Sequence, residues 1–449
     1  MRKFLTLCLV AILLFPGVVY AQEEDTVVIP YNHAIELAAA TLQDIEEIFE
    51  EMRELQDELR DEIRELERGD QTRETISDLA EELATLELQL MYAQLTHEMM
   101  HGSIELSIEN MLASMASPDD ADGLGAALHS AISGMMAVQG MGGNIAMMQN
   151  RMHNILDEIS LLRNDGVNVR DIVDGLRDAI EEIDYQMDVM RLGHEQSTLV
   201  VENTLRSLII AVTELETMIE TMETSLVQTR ENLRRANIRY DFGLVNHNHV
   251  SAAEQAVTLG ELALTQRQTS LYNARNSLNY LLGQPLSQYT VVEFARDLPE
   301  IPEDLDAHIA EIIPTTPPIR RLQMIVDTEY EAMRAYRGFD RDTRAALRET
   351  YERATQNRDA AMRTMEAAMR RAYNDLANLQ TQKETQLLEV TRAEQALEVA
   401  QTNLRFGRIT RHEVTQAEVA VFHAEQAIQS TLNQKWLLAF RLENPSLLN

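Results

Sequence analysis

The chain has 449 residues, of which 45% are hydrophobic and 25% are charged, and its formal net charge is −34. This excess of negative charge repels nucleic acid and anionic lipid surfaces, so neither is a plausible partner. Strong acidity can indicate disorder, but here the hydrophobic residues recur in long periodic arrays and aromatic residues are few, as in proteins built from long helices.

The first 21 residues have the parts of an export signal. Arg2 and Lys3 precede an apolar run that is short for a membrane span, and Ala21 supplies a small side chain at a cleavage site. Cleavage before Gln22 removes Cys8, the one cysteine, so we expect an exported envelope protein without a disulfide or a lipid anchor. A retained N-terminal anchor is the alternative.

Residues from about 50 to 195 read as a helical insertion. Met52, Leu55, Leu59 and Ile63 recur at spacings of three and four, as in the seam of a coiled coil, and a break at 68–70 predicts an antiparallel helical hairpin. Within this region, residues 91–152 contain half of the methionines, together with several histidines. Such residues could bind Cu(I), but they more often fill a helical core or an adaptable interface.

His97-Glu98-Met99-Met100-His101 matches the zinc protease pattern His-Glu-x-x-His. On a helix both imidazoles lie on one face, and the glutamate could activate a metal-bound water. No suitable third ligand follows, because Glu105 and Glu109 come too soon on the same helix. We therefore expect no enzyme activity and no cofactor, and we treat His97 and His101 as weak metal candidates only.

An internal repeat at an offset of 164 residues organises the rest of the chain. Each copy is a helix, a sharp turn at Gly243 or Gly407, and a returning helix rich in alanine. From about Arg341 to Phe406 there is no proline or glycine, which predicts one rod of roughly 100 Å. The identical pairs are Leu233/Leu397, Ala236/Ala400, Phe242/Phe406, Gly243/Gly407, Val250/Val414, Ala253/Ala417, Glu254/Glu418, Ala256/Ala420, Ala263/Ala427 and Leu278/Leu442.

These two copies resemble the TolC family of outer-membrane efflux proteins. The first copy has Ala236-x-x-x-Tyr240-x-x-Gly243 at its turn, the pair Ala253-Glu254, and Leu278-x-x-Leu281-Leu282-Gly283 at its end; the second copy has Phe406-Gly407 and Ala417-Glu418. The start of the mature chain, from Ile29 to Ala38, is also similar to the family's opening helix. We therefore divide the chain into an export signal (1–21), a first helical repeat (22–286) that carries the insertion, and a second helical repeat (287–449).

The resemblance implies a mainly α protein of long antiparallel coiled-coil helices, three copies of which form a helical tunnel in the periplasm. It implies an efflux or secretion channel of the outer membrane that carries small molecules or polypeptides and joins an inner-membrane pump through a periplasmic adaptor. The two turns become the inner tip of the tunnel, where the adaptor docks. The docking residues implied in this way are Tyr240, Gly243, Leu244, Val245, Phe406, Gly407, Arg408, Ile409 and Thr410. For Tyr240 and Phe406, ordinary packing between helices is an equal alternative.

Relatives in this family often carry acidic residues after the second turn, and Glu413 matches one such position, whereas Gln416 stands at a further one. His247, His249 and His412 also lie near the turns. Threefold symmetry would gather these histidines into a cluster that gains charge near pH 6 to 7 and opens the tip by repulsion. Alternatively, they are solvated residues at helix starts.

The family's membrane anchor, a β-hairpin in each copy, is not recognisable in the sequence. In the second copy its place is taken by the short turn Tyr336-Arg337-Gly338-Phe339-Asp340-Arg341-Asp342, flanked by charged helix. In the first copy it would fall within the helical insertion. The sequence therefore leaves a rival function open, that of an envelope coiled-coil structural or adaptor protein derived from the same repeat without a barrel.

Overall fold

A computed structural model of the chain describes residues 26–39, 169–285, 289–293 and 304–448, with the single helical positions 50, 53, 54, 57 and 60. The export signal, most of the insertion, the metalloprotease-like pattern with His97 and His101, and the methionine-rich stretch lie outside these residues. The described chain is mainly α, as predicted. None of its helices is both long enough and apolar enough to cross a membrane.

Seven helices and two strands make up the described chain. The elements in order are β1 (Thr26–Pro30), α1 (Tyr31–Ala38), α2 (Val169–Asp241), α3 (His247–Leu281), β2 (Tyr289–Glu293), α4 (Leu305–Ile312), a 3₁₀ turn (Ile313–Thr315), α5 (Pro317–Ala335), α6 (Arg341–Arg405), α7 (Arg411–Glu443) and a 3₁₀ turn (Pro445–Leu447). At 1.5 Å per residue, the 73 residues of α2 and the 65 of α6 span about 110 and about 100 Å.

The element boundaries repeat at the offset that the sequence predicts. α2 ends at Asp241 and α3 begins at His247, and 164 residues later α6 ends at Arg405 and α7 begins at Arg411. The division into two copies at residue 286 stays a prediction. The predicted end of the insertion, at about residue 195, lies inside α2. Because α2 continues through this position without interruption, no structural boundary marks it.

The two strands were not predicted. β1 and β2 form a parallel pair in which Val28 lies opposite Val291 and Ile29 opposite Val292. Both strands are runs of five residues rich in β-branched side chains, which suit a pleated backbone. The pair connects the start of the first copy to the segment that follows α3.

The four long helices pack in the order α3, α2, α7, α6. Hydrogen bonds join Asn203 to Arg441, Glu214 to Asn433, and Thr217 to Gln426, so α2 and α7 run antiparallel. The pairs α2/α3 and α6/α7 are antiparallel hairpins. The turn after α2 and the turn after α6 therefore lie at the same end of the molecule.

The largest described hydrophobic cluster lies where α7 ends, beside the middle of α6. Ile309, Ile319, Met369, Tyr373 and Leu442 pack there, bringing together α4, α5, α6 and α7. On the other side of α7, the Arg206 guanidinium lies over the rings of Tyr31, Trp436 and Phe440, at 5.2, 4.5 and 4.1 Å from their centroids. These contacts fasten α1 to α2 and α7, since a cation over an aromatic face is attracted to it.

Candidate functional site

The two turns are built by the same backbone motif. In the first, the N–H of Gly243 donates to the Tyr240 carbonyl and the N–H of Leu244 to the Arg239 carbonyl, both at 2.8 Å. In the second, Gly407 and Arg408 donate to Leu404 and Asn403, both at 2.9 Å. This pattern satisfies the last carbonyls of a helix and requires a left-handed residue, which glycine adopts without strain. Gly243 has φ +68° and Gly407 has φ +64°.

The returning helices are capped differently. Asn246 accepts a hydrogen bond from the backbone N–H of His249 at 3.2 Å, so it caps α3. At the start of α7, the Glu413 carboxylate accepts from both the backbone N–H of Thr410, at 2.7 Å, and its hydroxyl, at 2.9 Å. These two bonds lower the pKa of Glu413 below its ordinary value. The predicted acidic gate residue therefore already serves as a helix cap.

Large apolar side chains project from both turns into solvent. Phe242 is 76% exposed, Leu244 is 68% exposed and Phe406 is 70% exposed, whereas Tyr240 is about half exposed. Val245 and Ile409 are half-buried in their turns. Each turn thus displays at least one large apolar side chain that is mostly exposed.

The ring contacts at each turn are local. The Tyr240 and His247 rings lie 5.9 Å apart, and the Arg408 guanidinium lies 5.6 Å from the Phe406 centroid. His247 and His249 are exposed and His412 is half-buried beside Gln416. Tyr240 and Phe406 each contact a neighbour within their own turn and also keep an exposed face. The structure is therefore compatible both with a docking role and with ordinary packing for these two residues.

One residue of this surface is missing from the sequence prediction. Phe242 is more exposed than Phe406, to which the repeat pairs it at the 164-residue offset. That pairing was the signal that could have identified it. Within the described residues, no group of three or more histidine, cysteine, aspartate or glutamate side chains is placed to hold a metal.

No family model matches the sequence, and no curated protein is significantly similar to it. Several solved structures are similar in fold. The Campylobacter jejuni outer membrane channel CmeC is 11% identical over 61% of this chain and 67% of its own, with a TM-score of 0.46. CusC is 12% identical over 78% of this chain and 97% of its own, with a TM-score of 0.45. The Vibrio cholerae outer membrane protein VceC is 16% identical over 61% and 75%, with a TM-score of 0.40. CmeC is described as an outer membrane channel and VceC as an outer membrane protein.

Proposed function

We propose that this chain is a subunit of a trimeric efflux or secretion channel of the TolC type, located in the outer membrane and periplasm. The observation that carries the proposal is the layer of four helices with both glycine turns at one end. α3 and α7 have 35 and 33 residues, so the four helices lie side by side over about 50 Å, in a layer one helix thick. Such a layer is suited to forming the wall of a tunnel.

Exposed leucines on the outer helices, α3 and α6, can form the contacts between copies that close the layer into a ring. α3 and α6 stand at the two edges of the layer, and Leu259 and Leu262 on α3 and Leu387 and Leu388 on α6 are all about half exposed or more. One edge differs from the other, so a copy that sets α6 against α3 of the next makes a head-to-tail contact. Such contacts close into a ring when the rotation fits, and the family resemblance favours three copies.

The exposed aromatic and aliphatic side chains of the two turns form the surface for a periplasmic adaptor, which links the tunnel to an inner-membrane pump. This surface comprises Tyr240, Phe242, Gly243, Leu244, Val245, Phe406, Gly407, Arg408, Ile409 and Thr410. His247, His249 and His412, with Glu413, stand where three copies would converge, so they are the gate candidates. Small molecules or polypeptides would pass outward through this opening.

Conductance in planar lipid bilayers tests the channel. Purified chain from Gln22 onward, reconstituted from detergent as a trimer, is expected to give discrete current steps. If the histidines contribute to the gate, the triple variant His247→Asn, His249→Asn, His412→Asn changes the fraction of time that the channel is open while still conducting. A water-soluble helical protein that gives no current would instead support the rival function, an envelope coiled-coil scaffold or adaptor.

A further inference from the structure

The contact between α2 and α7 changes from apolar to polar along its length. Ile210, Trp436 and Leu437 form an apolar cluster. Toward the glycine turns, the stripe continues at spacings of four, three and four, and its positions are polar: Glu214, Thr217 and Thr221 on α2, and Asn433, Ser430 and Gln426 on α7. Such positions form the seam of a coiled coil, where polar residues fix the register of the helices at a cost in stability.

One acceptor in this polar seam has no donor. The Gln426 amide donates to the Thr217 carbonyl at 2.9 Å and also to the Thr221 hydroxyl. Asn433 donates from its Nδ2 to Glu214 at 3.3 Å. The Asn433 Oδ1 atom is buried and accepts no hydrogen bond from the residues that the structure describes. A buried acceptor without a donor destabilises a folded protein, so this atom marks a weak point of the seam.

Glu214 can supply the missing donor when it is protonated. An ionised carboxylate only accepts hydrogen bonds, whereas a protonated carboxyl also carries an O–H group that donates. A protonated carboxyl and a primary amide therefore pair through two hydrogen bonds at once. Asn433 is 1% exposed and Glu214 is half-buried, so water competes little for these bonds.

The charged groups beside Glu214 have other partners. Arg275 of α3 pairs with Glu216 at 3.0 Å, and Lys435 of α7 donates to Gln380 of α6. Burial raises the pKa of Glu214, and the hydrogen bonds from Asn433 and Ser430 oppose that rise only in part. Because no cation holds it ionised, Glu214 gains its proton at a higher pH than an ordinary glutamate does.

We propose that Glu214 and Asn433 form a proton-controlled latch between the two helical hairpins, α2/α3 and α6/α7. When Glu214 is protonated, two hydrogen bonds join it to Asn433 and hold α2 against α7. When Glu214 is ionised, a charge and an unpaired amide oxygen lie in the seam, and the hairpins separate more readily. α2 continues for about 40 Å from Glu214 to its end at Asp241, so a small change of angle at the latch becomes a larger displacement at the glycine turn.

The distance between two spin labels measures how firmly the hairpins are joined. The chain from Gln22 onward contains no cysteine, so labels can be attached selectively at Ser225→Cys on α2 and Glu418→Cys on α7. Both positions are exposed and lie between the seam and the glycine turns. Double electron–electron resonance, on labelled chain diluted with unlabelled chain, should give a broad distribution of distances at pH 8. We expect a narrower distribution with a shorter mean distance at pH 4.5.

Two variants on α2 assign this response to Glu214. Glu214→Gln should give the narrow distribution at both pH values, because the glutamine amide donates to Asn433 Oδ1 and accepts from Asn433 Nδ2 whatever the pH. Glu216→Gln is the matched control. It also replaces a carboxylate, but one that pairs with Arg275 outside the seam, so it should keep the response of the wild type.

A wild-type distribution that is the same at pH 8 and pH 4.5 would overturn the latch. A Glu214→Gln variant that responds to pH as the wild type does would overturn it too, because the titrating groups would then lie elsewhere, as in the histidines of the two turns. Each distance is measured within one copy and requires no conductance. The latch and the channel function can therefore fail separately.

Discussion

At the scale of single residues, Glu214 shows how the central helix pair tolerates a carboxylate. Asn433 of α7 donates to it at 3.3 Å. Burial raises the pKa of Glu214 above its ordinary value, and the bonds from Asn433 and Ser430 oppose that shift only in part. A carboxyl whose folded pKa lies above its unfolded pKa makes its full contribution to stability below the unfolded value. It loses that contribution as the pH rises through the folded value.

We therefore expect Glu214→Gln to raise the free energy of unfolding at pH 7, on the order of 1 kcal/mol, because the amide keeps an acceptor for Asn433 and removes a buried charge. The gain should shrink toward pH 4, where wild-type Glu214 is itself protonated. Urea unfolding followed by circular dichroism at both pH values measures it.

Glu216→Gln on the same helix is the control for Glu214. Glu216 pairs with Arg275 at 3.0 Å and is partly exposed, so its replacement should lower stability by less than about 1 kcal/mol. If both variants change stability in the same direction, burial is not what distinguishes the two carboxylates.

At the scale of elements, the repeat made the helix ends predictable and left the sheet unforeseen. A turn glycine and a capping residue, such as Gly407 and Thr410, are local signals that sequence alone carries. The pairing of β1 with β2 joins residues more than 250 positions apart in the chain, and nothing within either run of five specifies its partner. The Arg206 cluster was unpredictable for the same reason, because Tyr31 and Trp436 reach it from distant segments.

The turn between α6 and α7 gives a prediction at this scale. Gly407→Ala should destabilise the chain by about 1 kcal/mol, because alanine resists a φ of +64°. Space is not the obstacle, since an added Cβ would have no heavy atom within 4 Å. The change appears as a lower midpoint of urea unfolding.

Gly407→Asn separates conformation from other effects of a side chain at this turn. Asparagine enters the left-handed region more readily than alanine, so it should cost less despite its greater size. An asparagine variant less stable than the alanine variant would show that the backbone conformation of Gly407 is not the limiting factor.

At the scale of the whole molecule, each end of α6 is followed or preceded by an exposed phenylalanine. The Gly407 turn displays Phe406 close to Arg408, whereas the far end displays Phe339. Between them, the edges of the layer carry aliphatic side chains that a lone copy leaves in water. A molecule of this design gains stability when its edges are covered, because apolar area is then removed from solvent.

The Leu388→Glu variant tests whether the edges of the layer are covered by neighbouring copies. Leu388 is 61% exposed on α6, at one edge of the layer, and a glutamate there would be buried without a partner once the ring closes, at a cost of several kcal/mol. We expect sedimentation in detergent to show single subunits with unchanged helical circular dichroism. Val227→Glu is the matched control, since Val227 is 64% exposed but lies on the inner helix α2, and it should assemble as the wild type does.

Because the edges α3 and α6 are different surfaces, Leu259→Glu should dissociate the ring equally. Assembly that survives both edge substitutions would mean that the copies meet through another part of the chain.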